Sequence, residues 1–206
     1  PIPPGWIPPD QRGQSEMRSR PITAEEFERI LMAVPKIRKR DALIWDRFLM
    51  GLWHSGLRVD ELRRLHWSPR FGFSIDTTAS KWPMFRILKQ KNRKSQYAPM
   101  TPEFWDLIKG DNRLGYVFQL PSRTGEQMTK KRLVRVIGQI GAAAGVITDP
   151  ETGKTATSHD IGKRAFLNRM VREGYSEEQA RKYARHADAE TTRKYYLLDD
   201  SEKLAA

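Results

Sequence analysis

One stretch of the chain, residues 71–100, breaks an otherwise helical hydrophobic pattern, and this limits the folds that the chain can adopt. Before and after it, apolar residues recur every three or four positions, the spacing of an amphipathic α-helix. Within residues 71–76 and 84–100 the spacing shortens to that of a β-strand. Residues 115–120 fit either a short buried strand or an extended segment. We therefore predict a mainly α fold with a small antiparallel β-sheet, of the α+β class.

Residues that favour helix ends mark the boundaries of the predicted helices. Thr23 and Glu26 form a capping-box pattern ahead of the first amphipathic segment. The same type of N-cap residue precedes three later helices, at Thr101, Thr129 and Ser176. These signals place the helix starts independently of the hydrophobic pattern.

The last third of the chain reads as helical after one polar interruption. Residues 148–157 are rich in turn-forming residues. We expect three helices to follow, over about residues 159–173, 177–186 and 189–198, with Gly174 ending the first of them.

The helix that begins after Thr129 has two chemically distinct faces. Its predicted core face consists of Leu133, Val134, Ile137 and Ile140, and its polar face of Lys130, Lys131, Arg132 and Arg135. The whole chain has 37 Lys and Arg against 25 Asp and Glu, a formal net charge of +12. Such a charge destabilises a compact domain by self-repulsion, and a polyanionic partner is the commonest reason to retain it. We expect the polar face to contact nucleic-acid phosphates without reading bases.

Several classes of site are excluded by what the sequence lacks. No apolar run approaches the roughly 18 residues that a membrane span needs, and no signal-peptide core is present. The absence of cysteine excludes disulfides and thiolate metal sites, and we expect a reducing, cytoplasmic setting. Gly153-Lys154-Thr155 resembles the end of a phosphate-binding loop, but Thr148 occupies the position of its first glycine. No cofactor and no metal ion is predicted.

The N-terminus differs in composition from the rest of the chain. Its first nine residues include five prolines, which disfavour helices and sheets and promote extended chain. We therefore divide the chain into a proline-rich arm or linker, residues 1–20, and one folded domain, residues 21–206.

Three groups of polar residues are candidates for function, although each has an ordinary structural interpretation. Arg58 begins a helix after a Ser-Gly break, and Glu61 can reach back to it; an exposed intrahelical ion pair would suffice to explain both. Lys91, with Arg93 and Lys94, lies at the tip of the predicted hairpin. This tip is either a solvated turn or a finger that offers an ammonium group to a phosphate. A third group, with His159, lies in the last third of the chain.

The order and spacing of these groups resemble the catalytic domain of the tyrosine recombinases, the phage integrase family. Residues 56–62 read GLRVDEL and residues 65–67 read LHW, which is similar to the family's first arginine box. Residues 98–100 read APM, similar to the segment that follows the family's hairpin lysine. His186 precedes Tyr195 by nine residues, similar to the closing box. The resemblance covers roughly residues 20–200.

One box departs from the family pattern. The family usually has arginine three residues after a histidine, but that position after His159 is Gly162. If Gly162 is a one-residue insertion, Lys163 takes the position, whereas Arg164 is the nearest guanidinium. A lysine does not reproduce the planar, two-pronged grip of arginine on a phosphate. Lys163 is favoured by alignment and Arg164 by chemistry. Arg185, where the family usually has glycine, is expected to matter less.

The resemblance implies a role for each candidate. Tyr195 would attack the scissile phosphate, and its neighbour Tyr196 is the less favoured alternative nucleophile. Arg58 and either Arg164 or Lys163 would bind the phosphate oxygens, and Lys91 would protonate the leaving 5′-oxygen. The two histidines, His159 and His186, would carry protons or donate hydrogen bonds to the phosphate.

The resemblance also implies the partners and leaves two alternatives. The predicted partner is double-stranded DNA. The protein is expected to form a homotetramer on paired DNA sites, and a monomer is possible when the domain is free. An N-terminal DNA-clamping domain is expected to be absent from this chain. The first alternative is a catalytically impaired DNA-binding relative, because the second arginine box is altered. The second is a basic domain that binds RNA or another acidic partner.

Overall fold

The computed structural model describes residues 19–78, 80–88, 95–120, 122 and 124–185. The α-helices in these ranges are α1 (Ala24–Ile37), α2 (Ala42–Ser55), α3 (Val59–Arg63), α4 (Pro102–Ile108), α5 (Lys130–Ala143), α6 (Ala165–Arg172) and α7 (Glu177–Ala184). The strands are β1 (Phe73–Asp76), β2 (Met84–Leu88), β3 (Ser95–Pro99), β4 (Ile147–Asp149) and β5 (Lys154–Thr155), and a π-helix spans Asp160–Arg164. The predicted mainly α fold with a small antiparallel sheet is confirmed.

Helix α2 lies at the centre of the core, packed against α1, α4 and the π-helix. Its side chains Trp45, Phe48, Leu49 and Leu52 are fully buried. Burying one large apolar side chain contributes about 1.5–3 kcal/mol, so this helix supplies a large share of the hydrophobic stabilisation. None of the helices in the described ranges is both long and apolar enough to span a membrane.

The helix starts are those that the capping residues predict. The Thr23 hydroxyl accepts a hydrogen bond from the Glu26 N–H at 3.2 Å, and the Glu26 carboxylate accepts one from the Thr23 N–H at 3.0 Å. Thr101 and Thr129 cap α4 and α5, and Ser176 forms a second capping box at α7. These local hydrogen bonds satisfy backbone donors that a helix leaves free at its first turn.

The predicted hairpin is present as part of a three-stranded sheet in the order β1-β2-β3. In its antiparallel register, Phe85 of β2 pairs with Ile75 of β1 and with Ala98 of β3. All three residues are buried, so one face of the sheet packs on the core. The hairpin tip with Lys91, Arg93 and Lys94 lies outside the described residues.

One local expectation is wrong. Val136 rather than Val134 completes the buried face of α5, and Val134 is 37% exposed. Of the two alternatives for residues 115–120, the structure has the extended segment, which makes a single antiparallel bridge between Tyr116 and His66. The turn-rich segment 148–157 contains part of a short hairpin, because β4 and β5 pair within it.

Two glycines of α5 differ in how closely other parts of the protein pack against them. A Cβ atom at Gly141 would lie 2.1 Å from the backbone oxygen of Ala156, whereas one at Gly138 would have no neighbour within 4 Å. Gly141→Ala should therefore lower the free energy of unfolding by about 1–3 kcal/mol through overpacking. Gly138→Ala, the matched control, should raise it by up to about 1 kcal/mol through helix propensity. Urea denaturation of both variants measures the change in the free energy of unfolding. Equal changes would contradict the close packing of α5 on Ala156, the residue that follows β5.

Candidate functional site

A solvent-open cavity of about 410 Å³ lies between the start of α3, the start of α5 and the π-helix. The polar residues lining it that bear on chemistry are Arg58, Glu61, Lys130, His159 and Lys163. The cavity therefore brings together residues from distant parts of the sequence. Three of them, Arg58, His159 and Lys163, are candidates that the sequence predicts.

Arg58 is the N-cap of α3, and its side chain is 61% exposed. Gly56 precedes it with a φ of +61°, a left-handed conformation that glycine adopts without strain. This turn ends α2 and redirects the chain into α3. A Cβ at Gly56 would also lie 2.6 Å from the Phe166 ring. The backbone before Arg58 is thus fixed, while its guanidinium remains open to solvent.

Glu61 reaches back to Arg58 as the sequence predicts. Its Oε2 accepts a hydrogen bond from the Arg58 N–H at 2.8 Å, and its Oε1 accepts one from Arg58 Nη1 at 3.3 Å. It also receives a hydrogen bond from Arg185 Nη2 at 2.5 Å. Burial alone would raise the pKa of Glu61, but the Arg185 and Arg58 charges outweigh it and lower the pKa. The carboxylate is therefore charged at neutral pH and lies between two guanidinium groups.

Lys163 is buried, at 4% exposure, and within the described residues its Nζ has no hydrogen-bond partner. Burial, followed by the Arg58 and Arg185 charges, lowers the pKa of this amine to about 7, although Glu61 acts in the opposite direction. A buried unpaired amine is destabilising. An anion in the cavity would provide the missing partner and favour the charged amine.

Arg164 does not line this cavity. Its Nη1 donates a hydrogen bond to Asp160 Oδ1 at 2.6 Å and also contacts the Ser19 hydroxyl. The other oxygen of Asp160 accepts hydrogen bonds from the Thr157 N–H at 2.9 Å and from its hydroxyl at 2.6 Å. Arg164 thus holds the start of the π-helix against the preceding segment and against Ser19.

The π-helix accounts for the particular directions in which Lys163 and Arg164 face. A π-helical turn contains one residue more than the α-helical turn that it replaces. This is the local structure expected where one residue is inserted into a helix, as the sequence suggests for Gly162. A Cβ at Gly162 would lie 3.4 Å from the Leu57 carbonyl oxygen, so the π-helix packs closely beside the start of α3. Lys163 faces the cavity, whereas Arg164 is held by Asp160.

His159 is the N-cap of the π-helix and lines the same cavity. Burial, and next the Arg164 charge, lower the pKa of this imidazole; Lys163 and Arg58 lower it further, and only Asp160 opposes them. The neutral imidazole is therefore favoured at pH 7, with one nitrogen able to donate a proton and the other able to accept one.

The predicted basic face of α5 is present beside the cavity. Lys130, Lys131, Arg132 and Arg135 are exposed, and Lys130 lines the cavity itself. The exposed Val134 also contributes to the lining. A positively charged surface therefore continues from the cavity along α5.

Several predicted site residues lie outside the described residues: Lys91, Arg93, Lys94, His186, Tyr195 and Tyr196. Arg185 is the last described residue of the chain, and no spacing rule places it in the site. Its substitution for the glycine usual in the family is the one sequence signal that draws attention to it. The structure gives this arginine a buried ion pair with Glu61.

A larger groove of about 540 Å³ lies elsewhere, between α2 and residues 111–119. Its Arg47 and Asp111 form an ion pair at 2.6 Å, so these charges satisfy each other. Within the described residues, no group of three or more His, Asp or Glu side chains is arranged to hold a metal ion.

The chain is similar to known proteins in sequence pattern and in fold. The sequence model of the phage integrase family matches residues 20–202. No curated protein matches the whole sequence significantly.

Solved structures share the fold at low sequence identity. XerA recombinase is 19% identical with a TM-score of 0.57, over 86% of this chain and 60% of that one. A lambda integrase dimer bound to a COC′ core site is 16% identical with a TM-score of 0.62, over 89% of this chain and 61% of that one. The Tn1549 transposon integrase in complex with circular intermediate DNA is 16% identical with a TM-score of 0.61, over 93% and 68%. The chain thus covers between 60% and 68% of the length of these three proteins.

Lys163 should make the stability of the protein depend on pH. Because its pKa is lowered to about 7 on folding, the unfolded chain binds more protons above that pH, and the folded state gains stability as the pH rises. Lys163→Met removes this effect. Lys163→Met should unfold with a larger free energy than the wild type. This difference should shrink by about 1–2 kcal/mol between about pH 6.5 and about pH 8.5.

Urea denaturation at both pH values measures this difference. Lys130→Met, which removes an exposed lysine of the same cavity, is the matched control and should show a difference that is constant with pH. A constant difference for Lys163→Met as well would contradict the burial of an unpaired amine.

Proposed function

The chain belongs to the phage integrase family, and on that premise we propose that it is the catalytic part of a site-specific DNA recombinase. It would cleave and rejoin DNA through a covalent bond between Tyr195 and a 3′-phosphate. The observation that carries the proposal is the convergence of Arg58, Lys163 and His159 on one open cavity beside a basic helix face.

The charge of the cavity suits a phosphodiester. An exposed guanidinium at Arg58 and an unpaired amine at Lys163 offer donors to two non-bridging oxygens. Additional negative charge develops on these oxygens when a fifth oxygen approaches phosphorus, so fixed donors stabilise the transition state more than the ground state. We assign the second cation to Lys163 rather than Arg164, because Asp160 already holds the Arg164 guanidinium.

The proposed step balances without a metal ion or ATP. The Tyr195 oxygen bonds to phosphorus and releases its proton to a base, for which the neutral His159 is a candidate. The bond from phosphorus to the 5′-oxygen breaks, and that oxygen takes a proton from Lys91. One phosphodiester becomes one phosphotyrosyl ester and one free 5′-hydroxyl, and the reverse step rejoins the strand.

The proposed partner is double-stranded DNA. In the lambda integrase structure a dimer is bound to a core site, and we propose that this chain likewise assembles on paired sites, as a homotetramer during strand exchange. The exposed cations of α5 would hold the sugar–phosphate backbone beside the cavity, and His186 would donate a hydrogen bond to the scissile phosphate.

A second candidate function is DNA binding without cleavage. The observation that favours it is that the second cation lining the cavity is an amine, since lysine offers a point charge instead of a planar fork. This candidate requires salt-sensitive binding to duplex DNA and no covalent adduct. Lys163→Arg would then be expected to start cleavage.

Variants of two adjacent tyrosines test which residue is the nucleophile. Duplexes are first selected from a random library by binding to the full chain, and the protein–DNA adduct that survives SDS is then measured. Tyr195→Phe should abolish the adduct because phenylalanine has no oxygen to bond phosphorus. Tyr196→Phe, the matched control, should retain it. An adduct that persists in Tyr195→Phe and disappears in Tyr196→Phe would reassign the nucleophile.

The role of α5 is tested by the salt dependence of DNA affinity. Lys131→Ala/Arg135→Ala removes two exposed cations and should reduce the slope of log K against log salt by up to about 2, equally for all duplex sequences. Lys109→Ala/Lys182→Ala removes two exposed charges from α4 and α7 and should leave the slope unchanged. Equal slopes for both double variants would contradict a DNA-facing α5.

A further inference from the structure

Arg185 combines an unfavourable backbone with a buried side chain. It follows α7 with a φ of +55° and a ψ of +39°, the left-handed region. An arginine is strained in this region, and a glycine would avoid the strain. Its side chain is nonetheless only 6% exposed and is fixed on Glu61. Strain of this kind persists where the surrounding structure uses the side chain.

The role of the Arg185 side chain follows from the two carboxylates of α3. Asp60 and Glu61 both line the cavity, where a negative charge would repel a phosphate. Arg63 and Arg64 neutralise Asp60 from within the same helix, at 2.9 and 3.0 Å. Glu61 is neutralised from outside the helix, by Arg185 at 2.5 Å.

Without Arg185, the carboxylate of Glu61 would have two other cations within its influence. One is Arg58, whose present contact with it is longer, at 3.3 Å. The other is the unpaired amine of Lys163, on which the charges of both Glu61 and Arg185 act. Either pairing would occupy a cation that the proposed function assigns to the phosphate.

We propose that Arg185 is a positioning residue. As the closer cationic partner of Glu61, it keeps the contact of Glu61 with Arg58 long and keeps Glu61 from pairing with Lys163, so that both cations remain available to the scissile phosphate. This inference rests on the proposed function and adds to it a residue that touches no substrate. Glu61 keeps its hydrogen bond to the Arg58 N–H and thus holds the start of α3 in place.

The test uses the full chain and measures the rate of adduct formation on the selected duplexes. Arg185→Met should lower this rate about a hundredfold, comparable to the loss of one transition-state donor, because Glu61 then captures a clamp cation. Arg185→Lys preserves the charge and should retain most of the rate. Glu61→Gln in the Arg185→Met background removes the uncompensated carboxylate and should restore the rate to within about tenfold of the wild type.

Two controls separate this role from a purely structural one. Circular dichroism at the assay temperature confirms that each variant is folded, and Lys182→Met, which removes an exposed charge from α7, should not change the rate. The inference is overturned by a wild-type rate in Arg185→Met, by a loss that Glu61→Gln does not restore, or by an Arg185→Lys as slow as Arg185→Met. A wild-type chain that forms no Tyr195-dependent adduct would instead overturn the proposed function, and this inference with it.

Discussion

The close approach of the π-helix to the chain at Leu57 is the contact on which the candidate site depends. A Cβ atom at Gly162 would lie 3.4 Å from the Leu57 carbonyl oxygen and 3.6 Å from Leu52 of the central helix, which is van der Waals contact with both. The residue after Leu57 is Arg58, and the residue after Gly162 is Lys163. One backbone contact inside the core therefore fixes two cations, 105 positions apart in the sequence, on the walls of one cavity.

The elements that the sequence predicts well are those encoded by neighbouring residues. Thr23, Thr129 and Ser176 mark helix starts because their hydroxyls bond to backbone groups only three positions away. The β2–β3 hairpin is encoded in the same way, by alternation on both sides of one turn. Residues 115–120 are harder to predict, because a short apolar run does not distinguish a strand from an extended segment packed on the core.

The candidate site is predicted only in part, for a related physical reason. The resemblance to the family identifies Arg58 and His159 as candidates, and both line the cavity. It leaves Lys163 and Arg164 undecided, because the direction of each side chain depends on whether the extra residue is absorbed as a π-helical turn. It gives no account of Arg185, whose partner Glu61 lies 124 positions away and is brought to it only by the tertiary fold.

Three features that work against folding lie around the cavity. They are a buried amine that has no hydrogen-bond partner among the described residues, a left-handed arginine and a π-helical turn. A protein optimised only for stability would replace the first two with an apolar side chain and a glycine. Their cost is offset by the burial around α2, and a phosphate in the cavity would give the Lys163 amine a partner. Lys163 is itself a positive charge at the cavity, the π-helical turn directs it there, and Arg185 neutralises the carboxylate of Glu61 beside it. An anion-binding function would therefore explain why all three features lie around one cavity.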